Sequence, residues 1–239
     1  MSGIDAHLPA LQVVVPMLTA GFVVLLKQRG LAWAAASAAS AMAFAIAVQL
    51  TMTAMGGEPI TYEMGNWPAP YGIVLHIDSF SAVLMLIITG ASTLSLLGGH
   101  ASLDSQIALE RQPYYYAAWL LAVAGLCGIC ITGDAFNIFV FMEISALASY
   151  VLIAGGPDRR ALPAVFKYLI MGSIGATFYL IGVGLIYLMT GTLNLADMEL
   201  RIANVDDLRP IYLAAGFITV GLALKAAIFP LHVWLPNAY

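Results

Sequence analysis

Of 239 residues, 62% are hydrophobic and only 9% are charged, and 13 acidic against 9 basic side chains leave a formal net charge of −4. Soluble domains carry about 25% charged residues, so most of this chain must face lipid or other apolar helices. The weakly negative balance offers no basic field and excludes a nucleic-acid partner. The class is an all-α polytopic membrane protein.

The opening MSGIDAHLPA lacks a basic n-region, so the first apolar stretch is expected to stay in the mature chain. That first span covers residues 8–26, with Pro16 as a kink and Lys27 and Arg29 directly after it. The second covers residues 31–54 and is dominated by Ala and Ser. Its Ala34, Ala38, Ala41 and Ala45 recur at helical spacing and predict a small-residue packing face. A connector at residues 55–77, rich in Gly, Pro and aromatics, then alternates from Tyr71 to Ile77 as an extended segment or hairpin does. Asp78 and Ser79 can cap a third span reaching residue 98.

A polar loop at residues 99–112 divides the chain into 1–112, with three helices and the extracytoplasmic connector, and 113–239, with helices four to seven. The fourth span, residues 114–131, contains Cys127 and Cys130. Their C-x-x-C spacing has no histidine or second cysteine pair beside it, and in an apolar segment it reads as packing rather than as a metal site. The fifth span, residues 136–154, contains Glu143. The sixth, residues 162–189, exceeds the ~30 Å hydrocarbon core and should tilt or project. In the next connector Leu195, Met198 and Ile202 share one side opposite Asp197, Glu199 and Arg201, as a short interfacial helix requires.

The seventh span begins at Pro210 and runs through PIYLAAGFITVGLALKAAIFPLHVWLPNAY. It carries Lys225 in its apolar body, and translocon scales put a central lysine at about +2.5 to +3.5 kcal/mol. Such a residue faces a bundle interior or a wet cavity and needs a partner. Pro230 deprives the carbonyl of Ala226 of its helical donor, and Pro236 does the same to His232. A broken helix beside Lys225 is therefore expected, and backbone broken at membrane depth needs protein or water to satisfy it.

Glu143 lies among phenylalanines with no basic neighbour in sequence. Either it is a protonated carboxyl bonded to backbone, Ser145 or Ser149, or it meets Lys225 across the bundle. A carboxylate that approaches a buried lysine raises the lysine's proton affinity and one that withdraws lowers it, which is a way to load and release a proton. Lys167, near the start of the sixth span, either snorkels to the interface or joins this relay. His232 either caps the broken turn or passes protons. The distribution of Lys and Arg predicts an N-terminus outside: Lys27, Arg29, Arg111, Arg159 and Arg160 fall in inner loops, against Arg201 and Arg209 outside. Tyr239 then lies near the cytoplasmic face.

Three motifs carry a resemblance: K-x-x-x-x-P-x-H-x-W-L-P-x-A from Lys225 to Ala238, F-N-x-F-V-F-x-E ending at Glu143, and K-Y-x-x-x-G-x-x-G-A from Lys167. Together they resemble the antiporter-like membrane subunits of respiratory complex I, membrane-bound hydrogenases and the Mrp multisubunit Na⁺/H⁺ antiporter. The stretches G-N-W-P-A-P-Y-G-I-V-L and G-T-L-N-L-A-D most resemble the D-type member of the Mrp assembly. The resemblance implies a bacterial cytoplasmic-membrane subunit that translocates protons, with Lys225 as carrier and Glu143 as its tuner. It further implies other membrane subunits as partners, H⁺ and Na⁺ as the ions, and no cofactor or metal on this chain. Family members have about fourteen spans in two inverted repeats, so this chain is expected to be the first repeat with its Pro-broken helix, truncated or split. A redox-driven pump and a non-conducting structural half are the alternatives.

Overall fold

The structure, a computed structural model, describes residues 3–26 and 28–238; the expectations placed on Lys27 and Tyr239 lie outside them. Among the described residues six helices are long and apolar enough to cross a membrane. They are α1 (Leu8–Leu25), α2 (Arg29–Met55), α3 (Ser79–Gly98), α5 (Gln112–Ile131), α6 (Ala135–Ala154) and α7 (Ala161–Thr190), with the short α4 (His100–Gln106) between α3 and α5. After α8 (Leu195–Ile202), a further apolar helix, α9 (Arg209–Lys225), stops after 17 residues and gives way to turns and the four-residue α10 (Leu235–Ala238). The polar loop expected at 99–112 thus contains a helix. Arg29 holds it through Asp104 at 3.0 Å, and His100 stacks on Trp33 with centroids 4.6 Å apart.

Side chains cap the starts of α3, α6 and α8. Asp78 Oδ1 accepts from the Ser81 N–H at 2.8 Å while Ser81 Oγ accepts from the Asp78 N–H at 2.9 Å, a reciprocal capping box at the head of α3. Asp134 caps α6 by accepting from the Asn137 N–H at 2.8 Å, and Asn194 caps α8 by accepting from the Asp197 N–H at 3.1 Å. Gly191, at φ +71°, terminates α7 in the left-handed conformation that a Cβ disfavours.

The connector forms a two-stranded antiparallel hairpin, β1 (Ile60–Glu63) and β2 (Val74–Ile77), with Ile60 opposite Ile77 and Glu63 opposite Val74. Val74, Leu75 and Ile77 are buried beneath it. The Gly133 N–H donates to Val74 O at 2.8 Å and the Leu195 N–H to Gly133 O at 2.9 Å, so the turn into α6 and the start of α8 are stitched to the hairpin.

Helices α1, α2, α3 and α5 pack as one group, and α6, α7 and α9 as a second layer joined to it through α5. Bare glycines allow both the join and the layer. A Cβ on Gly125 of α5 would lie 2.7 Å from the Ser145 backbone nitrogen on α6, and one on Gly221 of α9 would lie 2.6 Å from the Gly175 carbonyl on α7. The small-residue face expected on α2 is turned the wrong way. Ala34, Ala38, Ala41 and Ala45 are exposed, whereas Ala32, Ala36, Ala39, Ala43 and Ala47 are buried. With alanine on every side of the helix, spacing alone does not distinguish one row from its opposite.

Candidate functional site

The site begins where α9 ends. Past Lys225 the chain takes Ala227 at φ +51° and continues in turns through residues 226–234, which include Pro230. Proline has no N–H to donate to the ladder, and beside this break the Trp234 Nε1–H donates at 3.0 Å to the Leu224 carbonyl, which also accepts from the Ala227 N–H at 3.3 Å. The indole is fixed by stacking on Tyr168 of α7, centroids 4.1 Å apart and planes 5° from parallel, and Tyr150 of α6 meets Tyr168 edge-on at 4.7 Å. An aromatic column thus clamps the broken segment against α6 and α7.

Above that column Lys225 Nζ lies 2.8 Å from Glu143 Oε1. The side chains are 14% and 26% exposed, so the pair is largely shielded without being sealed. At this distance it is a charge-assisted hydrogen bond, and it supplies the partner that a lysine within an apolar helix requires. The bland alternative for Glu143 is not what the geometry shows: Ser145 Oγ donates to Met142 O and Ser149 Oγ to Ser145 O, each serving its own helix.

Gly172 lies on the side of α7 facing this pair. Within 4 Å of the point where its Cβ would stand are the Tyr150 hydroxyl, too close for any side chain, and Lys225 Nζ, at 3.9 Å. The glycine leaves room over α7 for the side chains of Tyr150 from α6 and Lys225 from α9.

The other candidates lie apart from the pair. Lys167 is exposed and lines a groove of about 430 Å³ with Asp158, Arg160, Pro236 and Asn237; it forms no ion pair among the described residues. His232 sits beside Phe229, with a buried Nδ1 that has no hydrogen-bond partner among the described residues. Pro230 lies in the turns and Pro236 inside α10. Cys127 and Cys130 are both free: Cys127 is buried with Sγ 3.6 Å from Gln12 Nε2, and Cys130 lines a cavity of about 460 Å³ under the hairpin with Glu63, His76 and Asp78. Among the described residues no group of three His, Cys, Asp or Glu side chains could hold a metal ion.

Sequence reading passed over Tyr150. The available signal was its place two helical turns after Glu143, which puts both on one side of α6.

Known proteins resemble this chain along nearly its whole length. The family described as NADH:quinone oxidoreductase/Mrp antiporter, TM, matches residues 132–239, the stretch that holds Glu143, Lys225 and the helix break. The N-type subunit of the NADH-quinone oxidoreductase of Desulforudis audaxviator is 44% identical over 98% of this chain and 47% of its own length. The D-type subunit of the Na⁺/H⁺ antiporter of Alkalihalophilus pseudofirmus is 30% identical over 98% of this chain and 47% of its own. In the solved structure of the membrane-bound sulfane sulfur reductase, an archaeal respiratory membrane complex, one chain superposes with a TM-score of 0.91 at 34% identity, covering 98% of this chain and 47% of that one. The chain spans about half the length of the curated relatives it matches. It belongs to the antiporter-like membrane subunit family shared by NADH:quinone oxidoreductase and the Mrp antiporter.

Proposed function

We propose that this chain carries part of the proton path of a multisubunit ion-translocating complex in the bacterial cytoplasmic membrane. The observation behind the proposal is the 2.8 Å contact between Lys225 and Glu143, held beside a helix break within the apolar layer. Lys225 binds the transported proton and Glu143 tunes its affinity. With the carboxylate at 2.8 Å the ammonium form is favoured; with the carboxylate withdrawn, burial favours the free amine and the proton leaves. Residues 226–234 lack a continuous hydrogen-bond ladder and give Lys225 room to move without unwinding α9. In this reading the N-terminus lies outside, and Lys167 and His232 line the route from the cytoplasmic face. The chain itself needs no redox centre, metal or cofactor, and acts as a transporter subunit rather than an enzyme.

Two couplings fit a proton path of this kind. Exchange against Na⁺ is supported by the likeness to the D-type antiporter chain, and drive from electron transfer by the higher identity to a component of NADH-quinone oxidoreductase. Inside-out vesicles containing the complete complex, energised to an acid interior and monitored with a lumenal pH dye, separate them. A sodium pulse that alkalinises the lumen indicates antiport; proton uptake that appears only with an electron donor and quinone indicates a redox pump. Lys225→Ala should abolish whichever signal is present. Normal transport by a well-expressed Lys225→Ala complex would overturn the proposal and leave this chain a structural half.

A further inference from the structure

The Tyr150 hydroxyl is the group in this layer that the proton path above does not use. Tyr150 is 7% exposed, and its hydroxyl is buried with no hydrogen-bond partner among the described residues. Burying a hydroxyl without a partner costs about 1–3 kcal/mol by mutational measures, so a phenylalanine would serve the aromatic column better if the column were all that mattered. Gly172 leaves open the space in which this hydroxyl and Lys225 Nζ both lie. The lysine's flexible stem allows its nitrogen to reach either neighbour.

We infer that Tyr150 is a positioning residue for Lys225, holding its nitrogen in both protonation states as the proton is exchanged. The inference rests on the proton-path reading. It follows from what each group can offer. An ionised carboxylate only accepts hydrogen bonds, so Glu143 serves the ammonium and has nothing to give the free amine. A phenol both accepts and donates. Tyr150 accepts from the ammonium once Glu143 withdraws, then donates to the lone pair of the amine after the proton has left. The neutral lysine is thereby kept in place instead of carrying an unbonded nitrogen in an apolar layer. The other titratable side chains on the stretches packed around this end of α9 are Lys167 and Tyr168 on α7 and His232 beyond the break. Lys167 is exposed, and Tyr168 lies beneath the indole of Trp234.

Tyr150→Phe removes the hydroxyl and keeps the ring that packs on Tyr168. Proton translocation by the complete complex in vesicles should fall about tenfold near neutral pH, the worth of one hydrogen bond in such a site. Because Glu143 still holds the ammonium while the amine has lost its donor, the proton is bound more tightly. Activity should therefore recover as pH rises, with the rising limb of the pH profile displaced upward by about one unit. Thermal stability should be unchanged or higher, since an unpartnered buried hydroxyl has gone. Wild-type transport with an unmoved profile would overturn the inference, as would loss of transport together with loss of stability. Lys225→Ala in the same vesicles keeps the two readings apart. Retained transport there sinks the proton path itself, whereas a silent Lys225→Ala beside a fully active Tyr150→Phe sinks only the role of Tyr150.

Discussion

Around Trp119, the group formed by α1, α2, α3 and α5 buries neutral polar atoms and bonds them to one another. Trp119 Nε1–H donates to Ser92 Oγ at 2.8 Å, Ser92 Oγ lies 2.8 Å from Ser40 Oγ, and Ser40 Oγ lies 3.2 Å from Thr93 Oγ1. Its formal charges, such as Arg29 and Asp104, stay at the helix ends. Around Lys225, the layer of α6, α7 and α9 brings two formal charges into the apolar span and keeps the Tyr150 hydroxyl and His232 Nδ1 in reserve. Gln12 Oε1 and Ser37 Oγ are also buried without a partner among the described residues of the first group, so what separates the two regions is formal charge. Neutral bonds such as those around Trp119 specify one structure, whereas a charged pair can change partners. In the proposed reading the first region is a scaffold and the second a moving part.

The comparison is broken most severely by giving the second region the character of the first. A Glu143→Met, Lys225→Met chain replaces the pair with apolar groups of similar volume. Such replacements are neutral or stabilising by about 1–4 kcal/mol where a buried ion pair is removed whole. Glu143→Met alone leaves Lys225 uncompensated and should cost about 3 kcal/mol, the low end expected for a pair with some exposure. We therefore expect the single variant to unfold at the lowest temperature, the double variant to match or exceed the wild type, and both to be inactive in transport. A double variant as unstable as the single one would mean that the pair serves the fold.

Ser92→Ala tests the other side at smaller cost. It leaves the Trp119 N–H without its acceptor and should destabilise by about 1–3 kcal/mol, the penalty of an unmade buried bond. Transport per folded complex should be unchanged. A transport defect without a stability defect would show that the scaffold takes part in ion movement.

These regions were unequally legible in the sequence. The spans, the hairpin and the cap at Asp78 follow from apolar run length, turn residues and a capping side chain, which are local signals. Lys225 and Glu143 stood out because a charge in an apolar run is conspicuous wherever its partner lies. The inward face of α2 was not legible, since Ala32 and Ala34 differ in nothing a sequence records. Nor was Tyr150, because tyrosine is common in membrane helices and the importance of this one comes from Gly172 on another helix. The helix at residues 100–106 escaped because it depends on Arg29 and Trp33, which are distant in sequence.

The gentlest test lies at the head of α3, where scaffold and hairpin meet. The Ser81 backbone N–H, with help from its hydroxyl, holds the Asp78 carboxyl below the usual carboxylate range. A group whose pKa is depressed by folding stabilises the native state above its unfolded value, near 3.9, and loses that contribution as pH falls through the folded value. Asp78→Ala should therefore cost about 1 kcal/mol at pH 7, the usual worth of an N-cap, and less below pH 4. Asp78→Asn keeps a capping oxygen that does not titrate, so its stability relative to the wild type should improve over the same acid window. Thermal unfolding of the three proteins at pH 7 and in that acid window reads this directly. A cost for Asp78→Ala that does not change with pH would mean that the box works through its geometry alone. Transport by all three should be unchanged at pH 7, because the cap anchors the scaffold and lies on a different helix from Lys225 and Glu143.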